Sequence, residues 1–288
     1  MIKSTSPELR GSLRLRKTLA ILRRGSLDCA MQVVILCGGK GTRLREETEY
    51  RPKPMVPIGN YPILWHIMKL YAHYGHADFI LCLGYKGQVI KDYFLNYRQV
   101  VNDITVQLGA NHSITFHETN QAENWRVSLV NTGEDTMTGG RVGRIEKHIT
   151  DDLFLLTYGD GVGNIDLDAL VKFHRAHGRL ATLTGVRPPG RFGELVTQDT
   201  EIAEFNEKPQ TSGGRINGGF FVFSREVFRY LSSDQGLILE QEPLRKLAAD
   251  RQLMCYPHDG FWQPMDTFRE FEMLNQMWSR QQAPWKVW

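Results

Sequence analysis

The chain has 288 residues, of which 41% are hydrophobic and 23% charged, ordinary values for a soluble globular protein of one large domain or two small ones. Its formal net charge of +3 is uneven: residues 1–30 hold seven Lys or Arg against two Asp or Glu, a net of +5, which leaves the rest of the chain at −2. A mildly acidic body argues against a nucleic-acid partner, and no apolar run approaches the length of a membrane span.

Residues 1–30 read as a basic extension, either poorly ordered or a short amphipathic helix around Leu19–Leu22. That patch is too short for a secretory core. Met31 directly precedes the first strand, so initiation there, with a dispensable arm, is one expectation. Val33 to Cys37 is apolar and β-branched, which suits the centre of a parallel sheet. It runs into Gly38-Gly39-Lys40-Gly41-Thr42-Arg43-Leu44. Glycines admit positive φ and let a ligand approach backbone N–H groups, and such a nest binds phosphate oxygens. Arg43 and Lys53 add full positive charges.

Ile63, Leu64, Ile67, Met68 and Tyr71 recur at helical spacing, with Pro62 in the first turn and Gly75 as the stop. Phe79–Leu83 is a second buried strand, and Val89, Ile90, Tyr93 and Phe94 mark a second helix. This β-α-β-α order predicts an α/β fold, with a Rossmann-like, mostly parallel central sheet and helices on both faces. Alternation at Ser113–His117 and Arg126–Val130 predicts two shorter strands, read as an antiparallel insertion. Gly139–Arg141 opens a helix reaching about Ile149, and Leu153–Thr157 is a third central strand that ends at Gly159-Asp160-Gly161.

A helix over 167–177 and a strand at 181–184 follow. Beyond Pro188 the chain reads as a small β-rich C-terminal portion, with a turn at 188–193, strands ending near Phe205 and beginning at Ile216, and a helix from Pro243 to Ala249. Asp266 stands just before the last helix. Asp160 and Asp266 are hard oxygen donors of the kind Mg²⁺ takes alongside phosphate oxygens. The cysteines Cys29, Cys37, Cys82 and Cys255 form no CxxC pair, which fits a reducing cytoplasm and no structural zinc. Each residue also has an ordinary reading: Lys53 as a solvated charge, Asp160 as a turn residue, Asp266 as an N-cap.

Two look-alikes are excluded. The loop lacks the adjacent Gly-Lys-Thr of a Walker A motif, and Leu44 stands where a dinucleotide fingerprint has its third glycine. Gly38–Leu44 with Pro52-Lys53-Pro54-Met55 instead resembles the signature of the sugar-1-phosphate nucleotidyltransferases. Pro62–Lys69, Met137–Arg141, Thr157–Gly161, Pro188–Gly193, Ile216–Phe221, Phe261–Thr267 and Ala283–Lys286 resemble the branch that uses CTP and glucose 1-phosphate. The resemblance covers residues 31–288 as one nucleotidyltransferase domain, with Cys37 where alanine is usual. It implies an Mg²⁺-dependent enzyme of the bacterial cytoplasm, polysaccharide-related, homo-oligomeric and often hexameric. It also implies that Leu36, Cys37, Gly38, Gly39, Lys40, Gly41, Thr42 and Arg43 wrap the triphosphate and that Lys53 neutralises the reacting phosphates. Asp160 and Asp266 hold the metal, and Lys208 grips the sugar phosphate. Glu207 and Asn217 read sugar hydroxyls, and Thr136, Arg141 and Gly159 contact substrate. The residue chemistry alone leaves dTTP or UTP open in place of CTP, and leaves open a non-catalytic nucleotide-sugar-binding protein.

Overall fold

The computed structural model describes residues 30–110, 112–117, 123–188, 194–198, 201–206 and 214–288. Residues Met1–Ala30 and Met31–Trp288 form separate units, and the fold below is that of the second. Residues 1–29 of the expected basic arm and 189–193 of the turn expected at 188–193 lie outside the described residues.

In chain order the strands are β1 (Gln32–Cys37), β2 (Pro57–Ile58), β3 (Tyr61–Pro62), β4 (Asp78–Leu83), β5 (Asp103–Gln107), β6 (Ser113–His117), β7 (Arg126–Asn131), β8 (Leu153–Tyr158), β9 (Gly161–Gly163), β10 (Ala181–Val186), β11 (Glu194–Gln198), β12 (Glu201–Asn206), β13 (Ile216–Ser224), β14 (Leu253–His258) and β15 (Trp262–Pro264). The longer helices are α1 (Ile63–His73), α2 (Gly87–Leu95), α3 (Thr138–Arg144), α4 (Leu167–His177), α5 (Glu242–Ala249) and α6 (Phe268–Ser279).

The main sheet has seven strands in the order β14-β10-β13-β8-β1-β4-β7. Six run parallel, and β13 runs antiparallel between β8 and β10. The centre of such a sheet is covered on both faces, so its strands carry unbroken apolar runs. All six residues of β1 are buried. Val33, Ile35 and Cys37 join one core with side chains of α1, α4 and α6, whereas Val34 and Leu36 join another with Val142 of α3 and Leu244 and Leu247 of α5. Each fully buried Leu or Ile contributes roughly 1.5–3 kcal/mol. The parallel register pairs Leu36 with both Cys82 and Tyr158, so β1, β4 and β8 end together, where ligands bind in open α/β sheets.

Local signals place the helix ends. Gly75 (φ 85°) and Gly178 (φ 62°) stop α1 and α4 in the left-handed region, and the Asp166 carboxylate accepts from Ala169 N–H to start α4. Pro62 falls just before α1, pairing in β3 as the helix cap rather than in the first turn.

The reading of 113–130 as one antiparallel insertion is corrected. β6 pairs antiparallel with β5, which the sequence reading missed, but β7 is the parallel edge of the main sheet beside β4. An edge strand has one neighbour and a half-exposed face, which gives the same alternation as a hairpin strand. From the C-terminal portion, β13 and β14 join the main sheet, while β15 pairs with β9 in a small separate ladder. No helix among the described residues is long and apolar enough to cross a membrane.

Candidate active site

At the end of β1 the chain turns away from the sheet at Gly38. The Gly38 carbonyl accepts from Tyr85 N–H (3.2 Å) and from Arg141 Nη2 (3.0 Å). A Cβ on Gly38 would lie 2.1 Å from Arg141 Nη1, and one on Gly84 would lie 2.4 Å from the same atom. The guanidinium is therefore packed between two glycines. It also donates to the carbonyls of Leu83, Gly133 and Glu134 and to the Thr132 hydroxyl. Burial lowers its pKa, yet these acceptors satisfy the charge.

Gly39 differs: among the described residues nothing lies within 4 Å of its would-be Cβ. Gly41 turns the chain at φ 61°, and its carbonyl accepts from Leu44 N–H and the Thr48 hydroxyl. Buried Leu44 anchors the loop's far end. Lys40 reaches across to Asp135 at 2.8 Å, an exposed pair that adds little stability.

A one-turn 3-10 helix, Lys53–Met55, follows Pro52. Lys53 is 8% exposed and donates from Nζ to Asp160 Oδ2 at 2.6 Å and to Asp266 Oδ1. Burial pushes the Lys53 pKa down, but Asp160 and then Asp266 outweigh it and carry the pKa above its ordinary value. Arg43 Nη1 donates to Asp266 Oδ2 at 3.1 Å. The aspartates, distant in sequence, meet because β15 pairs with β9: Pro264 lies opposite Gly161, and Met265 N–H donates to the Asp160 carbonyl.

The ordinary reading of Asp266 as the α6 N-cap does not hold. Thr267 takes that place in a capping box with Glu270, whose carboxylate accepts from Asp266 N–H and Thr267 N–H. The Asp266 carboxylate is thereby turned toward Lys53 and Arg43. Two carboxylates converging on one cationic centre fit an Mg²⁺ ion that takes its other ligands from phosphate and water. Among the described residues no group of three or more His, Cys, Asp or Glu could hold a metal without such help.

Leu36, Gly38 to Arg43, Lys53, Thr136, Arg141, Gly159, Asp160 and Asp266 line a single cavity of about 690 Å³, within the range of ligand sites. Thr136 is 4% exposed and its hydroxyl accepts from Arg144 Nη1. Gly159 donates its N–H to the Leu36 carbonyl, and a Cβ there would meet that oxygen and Pro54 at 2.9 Å. The Cys37 side chain points into the core on the α1 side, so only its backbone faces the loop. Asn217 stands behind Tyr158, donating from Nδ2 to the Tyr158 hydroxyl at 3.2 Å. Glu207 and Lys208 lie outside the described residues. Sequence reasoning passed over Tyr158, Trp262, Thr138 and Met137, which also line the cavity. The signal was present for the first two: each is an aromatic residue within a few positions of a named aspartate.

Residues 32–278 match the family model described as nucleotidyl transferase. The chain is 51% identical over 259 residues to the glucose-1-phosphate cytidylyltransferase of Salmonella typhi, covering 90% of this chain and all of that one. It is 46% identical over 258 residues to the probable glucose-1-phosphate cytidylyltransferase of Bacillus subtilis, again covering 90% of this chain and all of the relative. Among solved structures, HddC from Yersinia pseudotuberculosis superposes with a TM-score of 0.63 at 22% identity, over 86% of this chain and 99% of that one. A UDP-glucose pyrophosphorylase complexed with UDP-glucose gives 0.62 at 16% identity, over 88% and 100%. At these identities the structural likenesses speak for the fold.

Proposed function

Because this chain belongs to the nucleotidyl transferase family, and within it to the glucose-1-phosphate cytidylyltransferases, we propose that it converts CTP and α-D-glucose 1-phosphate to CDP-glucose and pyrophosphate. The enzyme is a nucleotidyltransferase. A phosphate oxygen of the sugar phosphate attacks the α-phosphorus in line, the bond to the β-phosphate oxygen breaks, and pyrophosphate departs with that electron pair. The protein contributes position and charge stabilisation. The Gly38–Arg43 loop cradles the triphosphate through backbone N–H groups, with the open space at Gly39 as the point of closest approach. Arg43 favours the departing pyrophosphate. Lys53, protonated and held from below by two carboxylates, neutralises charge at the reacting phosphates. Arg141 fixes the loop through the Gly38 carbonyl and borders the substrate with Thr136 and Gly159.

Asp160 and Asp266 are the residues that would hold Mg²⁺, which supplies Lewis-acid charge stabilisation at the phosphate oxygens when bound. By family resemblance Lys208 takes the sugar phosphate, and Glu207 and Asn217 take sugar hydroxyls. A homo-oligomer, hexameric by the same resemblance, and a cytoplasmic place complete the proposal. Residues 1–30 are proposed as a dispensable extension of the 31–288 domain.

The observation that carries the reading is the meeting of Lys53, Asp160 and Asp266 beside the glycine loop. The test is a panel of CTP, dTTP and UTP with glucose 1-phosphate, read by pyrophosphate release in Mg²⁺. CTP is expected to be turned over best, and equal turnover with UTP sinks the cytidylyl assignment. Asp160→Asn is expected to lower turnover about 100-fold or more with little change in melting temperature; an unchanged rate refutes the metal role.

A further inference from the structure

Behind the cavity wall lies a carboxylate with no cation bonded to it among the described residues. Glu240 precedes α5 and is half-buried. Its Oε2 accepts from the Thr138 hydroxyl at 2.6 Å, and its Oε1 accepts from the Tyr158 hydroxyl. Thr138, the first residue of α3, accepts in turn from Leu239 N–H at 2.9 Å. Thr138 and Tyr158 both line the cavity, so Glu240 ties one wall to the other. Hydrogen bonds to an ionised acceptor are the strong ones, and they fix which way each hydroxyl points.

The direction of each bond then follows. The Tyr158 hydroxyl has one hydrogen, and Glu240 takes it. The phenol oxygen is left to accept, and Asn217 Nδ2 donates to it at 3.2 Å. Asn217 Oδ1 accepts from Gly219 N–H at 2.9 Å, which sets the amide the other way round from a free rotor. The Asn217 amide nitrogen keeps one further N–H, a donor of the kind a sugar hydroxyl oxygen accepts. The ring is seated as firmly as the hydroxyl: a Cβ on Gly219 (φ 82°) would lie 2.4 Å from Tyr158 Cδ2.

We propose that Glu240 is a positioning residue for the sugar half of the site, fixing the Tyr158 hydroxyl and through it the Asn217 amide. This rests on the reading of Asn217 as a sugar contact given above. Glu240 touches neither substrate, and its effect appears as discrimination in the sugar phosphate, separate from CTP.

The experiment is steady-state kinetics on Glu240→Ala, Glu240→Gln, Tyr158→Phe and the Tyr158→Phe/Glu240→Ala double variant, with both substrates varied. Glu240→Ala and Tyr158→Phe are each expected to raise KM for glucose 1-phosphate about tenfold, with KM for CTP within about twofold. The double variant is expected to be no worse than either single one, as for residues acting through one chain of bonds. Glu240→Gln, which keeps an acceptor for the tyrosine, recovers part of the loss; it and Tyr158→Phe also keep the test open if Glu240→Ala fails to fold. A fall in melting temperature with both KM values unaltered, equal rises in both, or additive losses in the double variant overturn the proposal. Wild-type turnover reports separately on the reaction itself. Were glucose 1-phosphate refused, the same ratios would be read on whichever sugar 1-phosphate is accepted, or on its binding by calorimetry if none turns over.

Discussion

The loop Gly38–Gly41 lines the cavity and the bend Asn217–Gly219 backs it through Tyr158; both are rich in glycine, but the missing side chains do different things. In the bend, every glycine position is filled by protein. A Cβ on Gly218 would meet Val186 at 2.6 Å and one on Gly219 the Tyr158 ring at 2.4 Å, and the bend is a bulge where the β10–β13 register shifts. In the loop, Gly38 is filled by the Arg141 guanidinium but Gly39 faces open space. One glycine of the loop's three is thus left for a ligand. A run of glycines marks a close approach, and only the tertiary neighbours tell whether the approaching body is substrate or protein.

The largest effect expected is at the charge centre the loop adjoins. Lys53→Ala should lower nucleotidyl transfer about 1,000-fold and leave Asp160 and Asp266 facing each other without their shared cation. A pyrophosphate-release assay that finds less than a tenfold loss would remove Lys53 from the chemistry. Next is the bend: Gly219→Ala combines a positive φ with a clash against a seated ring, and should cost about 3 kcal/mol of stability in urea unfolding. If stability held, the claim that protein packing dictates this glycine would be wrong.

The loop supplies the sharpest contrast. Gly39→Ala should leave stability within about 0.5 kcal/mol of wild type while raising KM for the triphosphate about tenfold. Gly38→Ala should lose about 2 kcal/mol by displacing Arg141 from its five acceptors. Matching behaviour of the two variants in unfolding would dissolve the distinction between neighbouring glycines.

The smallest effect gives a baseline away from both regions. Burial depresses His66 to about 4; its Nε2–H donates to the Ile58 carbonyl and its Nδ1 accepts from Trp285 Nε1 at 3.4 Å. The unfolded chain takes up the proton first, near 6.5, so the neutral ring's contribution is complete above that pH and is lost as pH falls from about 6.5 to about 4. About 1 kcal/mol should go by pH 5.5. Melting curves across pH 7 to 5 that coincide for wild type and His66→Gln would contradict this.

Much of the fold was legible from local pattern. The apolar runs at Val33, Phe79 and Leu153 became β1, β4 and β8 because continuous hydrophobicity suits only a strand covered on both faces. Helical spacing and the Gly75 stop located α1 closely, and the helix expected over 167–177 is α4. Arg126–Val130 was rightly read as a strand but wrongly placed in an antiparallel insertion, because period-two alternation reports half-exposure, which an edge strand and a hairpin share. The antiparallel place of β13 had no local signature, since strand direction is a property of its neighbours.

For the site, the sequence by itself determined the ingredients: a glycine loop at a strand end, Lys53 behind prolines, and aspartates beside glycine and proline, because those residue types carry their conformational and charge preferences locally. Tertiary structure decided what they do together. Asp160 and Asp266 share Lys53 only because β9 pairs with β15, Asp266 faces the cavity only because Thr267 takes the helix cap, and Arg141 lies between Gly38 and Gly84 rather than in open space. The first and the last are contacts between residues far apart in the chain, which a sequence sets only through the packing of the whole; the Thr267 cap is local, and it matters to Asp266 only once the cavity is in place.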